Sequence, residues 1–538
     1  MNFNATVLAF AAGVAMVCSA GSASAQILSR PPVQTGPAVA PQAGAEAGEV
    51  RLFYRNQVIV KFADGVEPAA VLAQALAGDR ESFREGAGFD IAAQATGALL
   101  VDLSASAVQT ESTTGRFGVE RRGGAESTAN QPLDALIARL NADPRVLYAQ
   151  KNYMKQAFQT QDLINDILDD SINQKPGAQN PGDGRTGPND PFLEFQWHLW
   201  AYGDAVSVGD EVAPGAVGFP AVWASYVPQR QVVLAVIDTG QVFAHDDVDG
   251  ARLLPGYDFV SDTFVSNDGD GRDADPTDPG DAVAADECFP GSSESNSSWH
   301  GSHVSGIAGL AATDNQFGIA SAVPSGVSIM PIRVLGRCGG STTDIVDALL
   351  WAGGIDVPGV PSNPTPAMVI NASLGGGFAG CEPAERDAIA QLKAKGVVLV
   401  AAAGNETDDA KFYSPSGCAD AFVVAASGMT GKMSYFSNFG ETVDIMAPGG
   451  DFRQDDDGDG FGDGILSIVD GGFDYYQGTS MASPLVAAAV ALGLSQHPDW
   501  TVEDATGRLT ATARPRSAEE CAEACGAGLM DVTGLLDG

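Results

Sequence analysis

Gly478-Thr479-Ser480-Met481-Ala482-Ser483-Pro484 runs directly into an apolar stretch, Leu485-Val486-Ala487-Ala488-Ala489-Val490-Ala491-Leu492-Gly493-Leu494. A chargeless segment of that length reads as a buried helix. Proline is tolerated in the first turn of a helix, where its missing N–H leaves no bond unmade. Pro484 therefore predicts a helix start close to Ser480. A hydroxyl at a positive helix end, beside free backbone donors, suits nucleophilic attack with oxyanion stabilisation close by. Taken alone, Gly-Thr-Ser before a helix is equally an N-cap.

Three further segments bear on Ser480. Gln231-Val232-Val233-Leu234-Ala235-Val236-Ile237-Asp238-Thr239-Gly240 is a near-continuous apolar run ending in a carboxylate. It fits a central strand of a parallel sheet, buried on both faces. Asp238 would stand at the carboxyl end of that strand, where open α/β sheets place their sites; a plain turn aspartate before Gly240 is the alternative. Trp299-His300-Gly301-Ser302-His303-Val304-Ser305-Gly306 opens a small-residue helix carrying two of the five histidines. With no Glu between them, the pair does not match the zinc-protease helix motif. His300 reads as a general base for Ser480, oriented by Asp238, and His303 as a satisfied helix histidine. Val397 to Ala403 followed by Gly404-Asn405 is another buried strand with an amide at its carboxyl end. Asn405 has the donor for a developing oxyanion, or forms an Asx turn.

Together these segments resemble the subtilisin-like serine protease (subtilase) family, in its bacterial secreted type with an inhibitory N-terminal propeptide, from about Trp197 to Leu536. Asp, His and Ser occur in that family's chain order. Asn371-Ala372-Ser373-Leu374-Gly375-Gly376 resembles its substrate-binding strand, Ala403-Gly404-Asn405 its oxyanion segment and 478–484 its nucleophile motif. Ser302 replaces the commoner threonine and Ser305 an alanine; neither change removes a catalytic group. The resemblance implies an α/β fold, a parallel sheet with helices on both faces, preceded by a small α+β propeptide domain. It implies that His300 takes the Ser480 proton during attack on a peptide carbonyl. Asp238 would stabilise the imidazolium, and Asn405 and the Ser480 N–H would hold the oxyanion. Gly339, Gly340 and Ser341, with Ser373, Leu374 and Gly375, would be two backbone edges that pair with an extended peptide. Ala403 and Gly404, both small, would line a first specificity pocket suited to a large apolar side chain.

The 538 residues predict more than one folding unit. Asp and Glu number 68 against 29 Lys and Arg, a net charge of −39. That balance excludes nucleic acid as the expected partner, since phosphate binding needs clustered cations, and favours cation binding. Residues 1–25 read as a signal peptide, with an apolar core at 7–17 and Ala23-Ser24-Ala25 before the cut, although no Lys or Arg precedes the core. The core is too short to span a bilayer. Valine before Cys18 argues against lipidation, and no membrane anchor is expected. The product is expected to be secreted (extracellular or periplasmic) and monomeric. Apart from Cys18, six cysteines remain, an even number that favours disulfides in an exported chain. Fifteen connectivities are open. The close spacing of Cys521 and Cys525 suits a small clip, and the resemblance implies Cys381 with Cys418 and Cys288 with Cys338.

Residues 26–50, rich in Ala, Pro and Gly, read as a disordered lead. A strand at 56–62, helices at 66–76 and 133–140, and a turn into a strand at 143–150 resemble the inhibitory propeptide of subtilases, giving a domain at 51–158. Residues 159–190 read as an exposed linker in which maturation cuts, and 191–538 as the peptidase domain. There, strands are expected at 232–238, 328–334, 368–373, 397–402, 422–426 and 443–447. Helices are expected at 300–312, 343–353, 383–395, 481–496 and 502–512. No appended C-terminal domain is expected after the last helix.

Two acidic loops read as calcium sites, because carboxylates alternating with glycine turns wrap a hard cation. The first holds Asp268, Asp270 and Asp273; the second holds Asp455, Asp457, Asp459 and Asp463. Leu466 stands where an EF-hand would close with Glu, so the second loop is no complete EF-hand. The resemblance adds a third site, Asp247 with Asn315 and carbonyls near Thr313, Phe317 and Ile319. Structural Ca2+, protein or peptide substrates, and the chain's own propeptide as inhibitor are thus the expected ligands. Rival readings are a catalytically silent binding protein on the same fold, and an acyl-ester hydrolase. The latter would want the Gly-x-Ser-x-Gly elbow, which this nucleophile turn lacks.

Overall fold

In the computed structural model, residue 33 and residues 50–77, 89–103, 117–122, 131–158, 188–200, 214–458 and 460–536 are described. The expected signal peptide and most of the disordered lead and linker lie outside these residues.

The core is a parallel sheet. Its strands are β6 (Val232–Asp238), β7 (Tyr257–Asp258), β8 (Val327–Arg333), β10 (Val369–Ala372), β12 (Val398–Ala402), β13 (Phe422–Ser427) and β14 (Ile445–Pro448), in the order β14-β13-β12-β10-β6-β8-β7. Alternate residues of β6 serve opposite faces. Leu234 and Val236 pack with α8 (Thr479–Gln496) and α9 (Val502–Thr512). Ala235 and Ile237 pack with α6 (Thr342–Ala352) and α7 (Pro383–Ala394). Burial on both faces is what the unbroken apolar run requires. Shorter helices are α3 (Phe219–Trp223), α4 (Thr263–Ser266) and α10 (Val532–Leu536). The sheet with helices on both faces is the expected α/β architecture.

α8 lies against the sheet and is apolar all round; only Gln496 at its end is not fully buried. Among the described residues it alone is long and apolar enough to cross a membrane, and 94% of it is buried inside the protein. It begins at Thr479, so Pro484 lies inside the helix rather than in its first turn. The carbonyl that Pro484 leaves without a helical donor is that of Ser480. The Ser373 hydroxyl donates to it at 2.8 Å, which explains how the helix tolerates the proline.

The expected helix 300–312 is α5 (His300–Ser305) followed by a π-helical turn, Gly306–Leu310, with Gly309 non-helical inside it. A hairpin, β15 (Ile465–Val469) and β16 (Gly472–Tyr476), packs on this segment. A Cβ on Gly306 would stand 2.4 Å from Ser467 Oγ. The hairpin was not anticipated, although Asp470-Gly471 between two apolar runs is a recognised hairpin signal.

The N-terminal residues form an antiparallel unit: β1 (Val50–Phe62), β2 (Phe89–Ala93), β3 (Leu99–Leu103), β4 (Phe117–Arg121) and β5 (Val146–Ala157), with α1 (Pro68–Ala77) and α2 (Gln131–Ala142). Leu72, Leu103, Leu133 and Leu136 fill a core of their own. β1 starts six residues before the expected strand, and β2 to β4 were not anticipated. β5 runs beyond the unit and pairs antiparallel with β9 (Gly340–Ser341) and β11 (Leu374–Gly375) of the second unit. Side chains of β5 also cap two helices there. Gln150 Oε1 accepts from Ala384 N at 3.1 Å, and Asn152 Oδ1 from Thr343 N at 3.2 Å. Disulfides join Cys288 to Cys338, Cys381 to Cys418 and Cys521 to Cys525.

Candidate active site

Asp238 ends β6, and its backbone carbonyl accepts from Val334 N and Leu335 N at 2.8 and 3.1 Å. Its Oδ1 accepts from Thr239 N at 2.7 Å and lies 2.7 Å from His300 Nδ1. Both side chains are buried. A carboxylate on Nδ1 places the neutral ring's proton there and leaves Nε2 as the acceptor. Thr239 ties helix to strand, since its Oγ1 accepts from Gly301 N at 2.9 Å and donates to Asp278 Oδ2 at 2.6 Å. Burial pushes the Asp278 carboxyl up to about 7 against the Thr239 hydrogen bond. Gly301 admits this approach because a Cβ there would stand 2.3 Å from Gly240 O. Ser302, the residue replacing threonine, still supplies a hydroxyl, which accepts from Val242 N at 2.8 Å.

His303 is held by the hairpin. Its Nε2 lies 3.1 Å from both Ile465 O and Asp474 O, and its ring stacks on Tyr476 with centroids 4.2 Å apart. Burial pushes it down to about 3, so it is neutral and structural.

Ser480 is fully buried, and its Oγ donates to Ser373 O at 3.0 Å. His300 Nε2 has no hydrogen-bond partner. The serine and the imidazole are therefore not hydrogen-bonded to each other in this form. Asn405 makes no Asx turn through Oδ1, which accepts from Thr479 N and Thr479 Oγ1, both at 2.9 Å. The Thr479 hydroxyl accepts in turn from Gly404 N at 3.1 Å. With its oxygen fixed, Asn405 presents Nδ2 to one acceptor, the carbonyl of Phe158, at 2.8 Å.

Phe158 directly follows β5. Met154 and Lys155 pair with Ser341 and Gly340, and Gln156 and Ala157 with Gly375 and Leu374. Phe158 N donates to Ser373 O at 3.3 Å. The β5 tail thus lies between the two edges singled out in the sequence, and places Phe158 O at the amide of Asn405. Gly339 makes the approach possible twice over: its φ is +106°, and a Cβ there would stand 2.1 Å from Lys155 O. The Phe158 ring is buried against Gly375, where a Cβ would meet it at 2.6 Å. Ala403 is fully buried, and a Cβ on Gly404 would stand 2.3 Å from Asn438 Nδ2. Phe158 was not singled out in the sequence; an aromatic residue closing a strand before a polar linker was the available signal.

The acidic loops behave differently from one another. Asp268 Oδ2 takes the guanidinium of Arg333, which also pairs with Asp258 at 2.5 Å. Its Oδ1 accepts from Ser266 Oγ at 2.7 Å and from Asp270 N at 3.2 Å. Asp273 Oδ1 caps Asp275 N at 2.8 Å. Asp268, Asp270 and Asp273 are not gathered around one point; an arginine and the loop's own donors take both oxygens of Asp268, and Asp275 N takes one of Asp273. Asp247 accepts from Asn315 Nδ2 and Ile319 N, both at 2.9 Å; burial, with Asp190 adding to it, pushes its carboxyl up to about 7. In the second loop, Asp455, Asp457 and Asp463 each offer an oxygen within 4.8 Å of the others, the one such group among the described residues. Asp459 lies outside them. Burial, then Asp456, Asp457 and Asp455, push the Asp463 carboxyl up to about 8. Asp455 Oδ1 is buried without a hydrogen-bond partner. A site that crowds carboxylates and leaves an oxygen unsatisfied fits a hard cation.

Comparison with known proteins identifies the family. The model of the Subtilase family matches residues 229–528. The extracellular protease of Xanthomonas campestris pv. campestris is 39% identical over 358 residues, 65% of this chain and 57% of that protein. The extracellular basic protease of Dichelobacter nodosus is 38% identical over 325 residues, 58% of this chain and 49% of that protein. The chain thus spans about half the length of these curated relatives. Among solved structures, a protease of Pseudoalteromonas arctica superposes with a TM-score of 0.57 at 40% identity, over 65% of this chain and 99% of that one. Fervidolysin of Fervidobacterium pennivorans shares the fold over 96% of this chain and 64% of its own, with a TM-score of 0.58 at 19% identity. With more than half of its length under the family model, and an aspartate, a histidine and a serine brought to one end of a parallel sheet, the chain belongs to the subtilase family.

Proposed function

We propose that this chain is a secreted, calcium-stabilised serine endopeptidase, made as a precursor that its own N-terminal domain inhibits and that it cuts after Phe158. The observation that carries this reading is the β5 tail, hydrogen-bonded along both edges as a substrate would be, with one carbonyl on Asn405 Nδ2. Rotation about the Cα–Cβ bond of Ser480 takes its hydroxyl from Ser373 O to His300 Nε2. The imidazole accepts the proton as Oγ attacks the Phe158 carbonyl, and Asp238 stabilises the imidazolium. Asn405 Nδ2 and the Ser480 N–H hold the oxyanion. His300 then returns the proton to the leaving amine of Gln159, and water hydrolyses the acyl-enzyme. Until the tail departs it blocks the groove, so residues 51–158 act as propeptide. The Phe158 ring against Gly375 supports a preference for a large apolar residue before the cut bond. The names of the Xanthomonas and Dichelobacter relatives support secretion. A serine-reactive fluorophosphonate is expected to label Ser480, and casein to be cut in preference to short-chain esters. Labelling without casein hydrolysis would favour an esterase, and absence of labelling a silent scaffold.

Calcium would be held by Asp455, Asp457 and Asp463 and would act on stability alone. Asp463, raised in the fold from an unfolded value of about 3.9, stabilises the fold only while protonated. Without the ion that contribution is present at acid pH and is lost as pH rises towards about 8. Calcium must displace the same proton, so its benefit grows over the same range. In the uncut Ser480→Ala chain, calcium at a hundred times its Kd is expected to raise Tm by about 3–6 °C at pH 8.5, and by less at pH 5.5. Differential scanning calorimetry with Asp463→Asn checks this; an undiminished calcium effect in that variant would exclude the site.

A further inference from the structure

The β5 tail carries a second recognition element besides Phe158. Along it Phe158 is buried, Ala157 half-buried, Gln156 exposed and Lys155 buried. Lys155 is the fourth residue back from the bond proposed to be cut, and its side chain is fully buried. Its Nζ lies 2.8 Å from Glu382 Oε1 and 3.0 Å from Glu385 Oε2, and both carboxylates are themselves buried. Glu382 and Glu385 belong to the peptidase side, at the start of α7, where the helix end favours negative charge. A second cation reaches the pocket, also from the N-terminal unit: Arg51 of β1 pairs with Glu382. The two anions therefore come from one domain and the two cations from the other.

Other contacts orient the carboxylates without neutralising them. Thr342 Oγ1 donates to Glu382 Oε2 at 3.2 Å, as does Gln150 Nε2. The Ser414 hydroxyl donates to Glu385. Glu385 Oε1, fully buried, has no partner. Burial acts to raise both carboxyls. For Glu382, Lys155 and Arg51 outweigh it and hold the group below its ordinary value; for Glu385, burial prevails over Lys155. Departure of the N-terminal domain would remove both cations and open to solvent the face of Glu382 and Glu385 that they cover, leaving two carboxylates that now share Lys155 without a counter-charge. A substrate that places a cation where Lys155 lies restores that charge-assisted pairing in a site its own chain covers.

We propose that Glu382 and Glu385 form a specificity pocket that selects a lysine or arginine at the fourth residue before the cut bond. The pocket thereby joins a basic requirement to the apolar one that Gly375 sets at the bond itself. The inference rests on the proposed peptidase reading, and in particular on cleavage after Phe158.

The test uses the processed enzyme and p-nitroanilides of the form X-Gln-Ala-Phe, where X is Lys, Arg, norleucine or Glu. Norleucine keeps the apolar stem of lysine and lacks its charge. kcat/KM for Lys is expected to exceed that for norleucine by about tenfold to a hundredfold, the range of a charge-assisted hydrogen bond. Glu is expected to be the poorest. The Lys-to-norleucine ratio is expected to fall towards one in Glu382→Gln and in Glu385→Gln. Equal rates for Lys and norleucine in the wild-type enzyme would overturn the pocket while the peptidase reading stands. Failure to cut any peptide, with no fluorophosphonate on Ser480, would overturn both.

Discussion

The full-length Ser480→Ala protein is expected to keep its N-terminal domain attached, while the wild-type chain separates into a fragment ending at Phe158 and one beginning at Gln159. Intact mass measured over time distinguishes the two, and casein hydrolysis reports the same difference as activity. Removing the nucleophile is expected to lower turnover by about a millionfold, a size known from subtilisin itself rather than estimated independently. The substitution removes the hydroxyl that now donates to Ser373 O and that the proposed mechanism turns to the unpartnered Nε2 of His300. It should disturb folding little. The Ser480 carbonyl that steadies α8 above Pro484 is backbone and remains available to Ser373 Oγ. Cleavage of the variant at Phe158 at the wild-type rate would sink self-processing and point to an outside protease. Wild-type cleavage at a bond well inside 159–190 would instead show that the position of the β5 tail does not fix the cut.

Legibility from the sequence follows how locally each feature is encoded. The strand ending in Asp238 and the helix carrying Ser480 were readable because burial on every face leaves an unbroken apolar run. α9 was readable to both ends, and a capping box between Thr501 and Asp504 starts it. Pro484 misled, because what allows it inside α8 is the hydroxyl of Ser373, a partner 107 residues away. The first acidic loop misled similarly. It reads as a cation cradle until Arg333, on a strand 65 residues from Asp268, is seen to supply the positive charge. The Lys155 pocket was invisible for the same reason. Nothing near Lys155 in the sequence announces Glu382 or Glu385; tertiary pairing of β5 with β9 and β11 brings them together.

Asp238→Asn is the second large effect, expected to lower kcat by about ten-thousandfold with the fold intact. Oδ1 of Asp238 serves two donors, Thr239 N and His300 Nδ1. An asparagine satisfies both only with its oxygen in that place. Its amide nitrogen then takes the position of Oδ2, which has no hydrogen-bond partner and is buried. The reversed orientation would set an N–H against Thr239 N–H and face His300 with a donor, turning the imidazole to the wrong tautomer. In the first orientation the ring is held but the negative charge is gone, at the moment when His300 must become an imidazolium. Either way the transition state loses more than the bound substrate does. kcat should therefore fall while KM for a peptide ending in Phe changes little. Thermal denaturation beside the steady-state kinetics separates this from unfolding. If kcat fell less than about tenfold in a folded variant, Asp238 would be a structural carboxylate at a strand end, and His300 would act as base without its support.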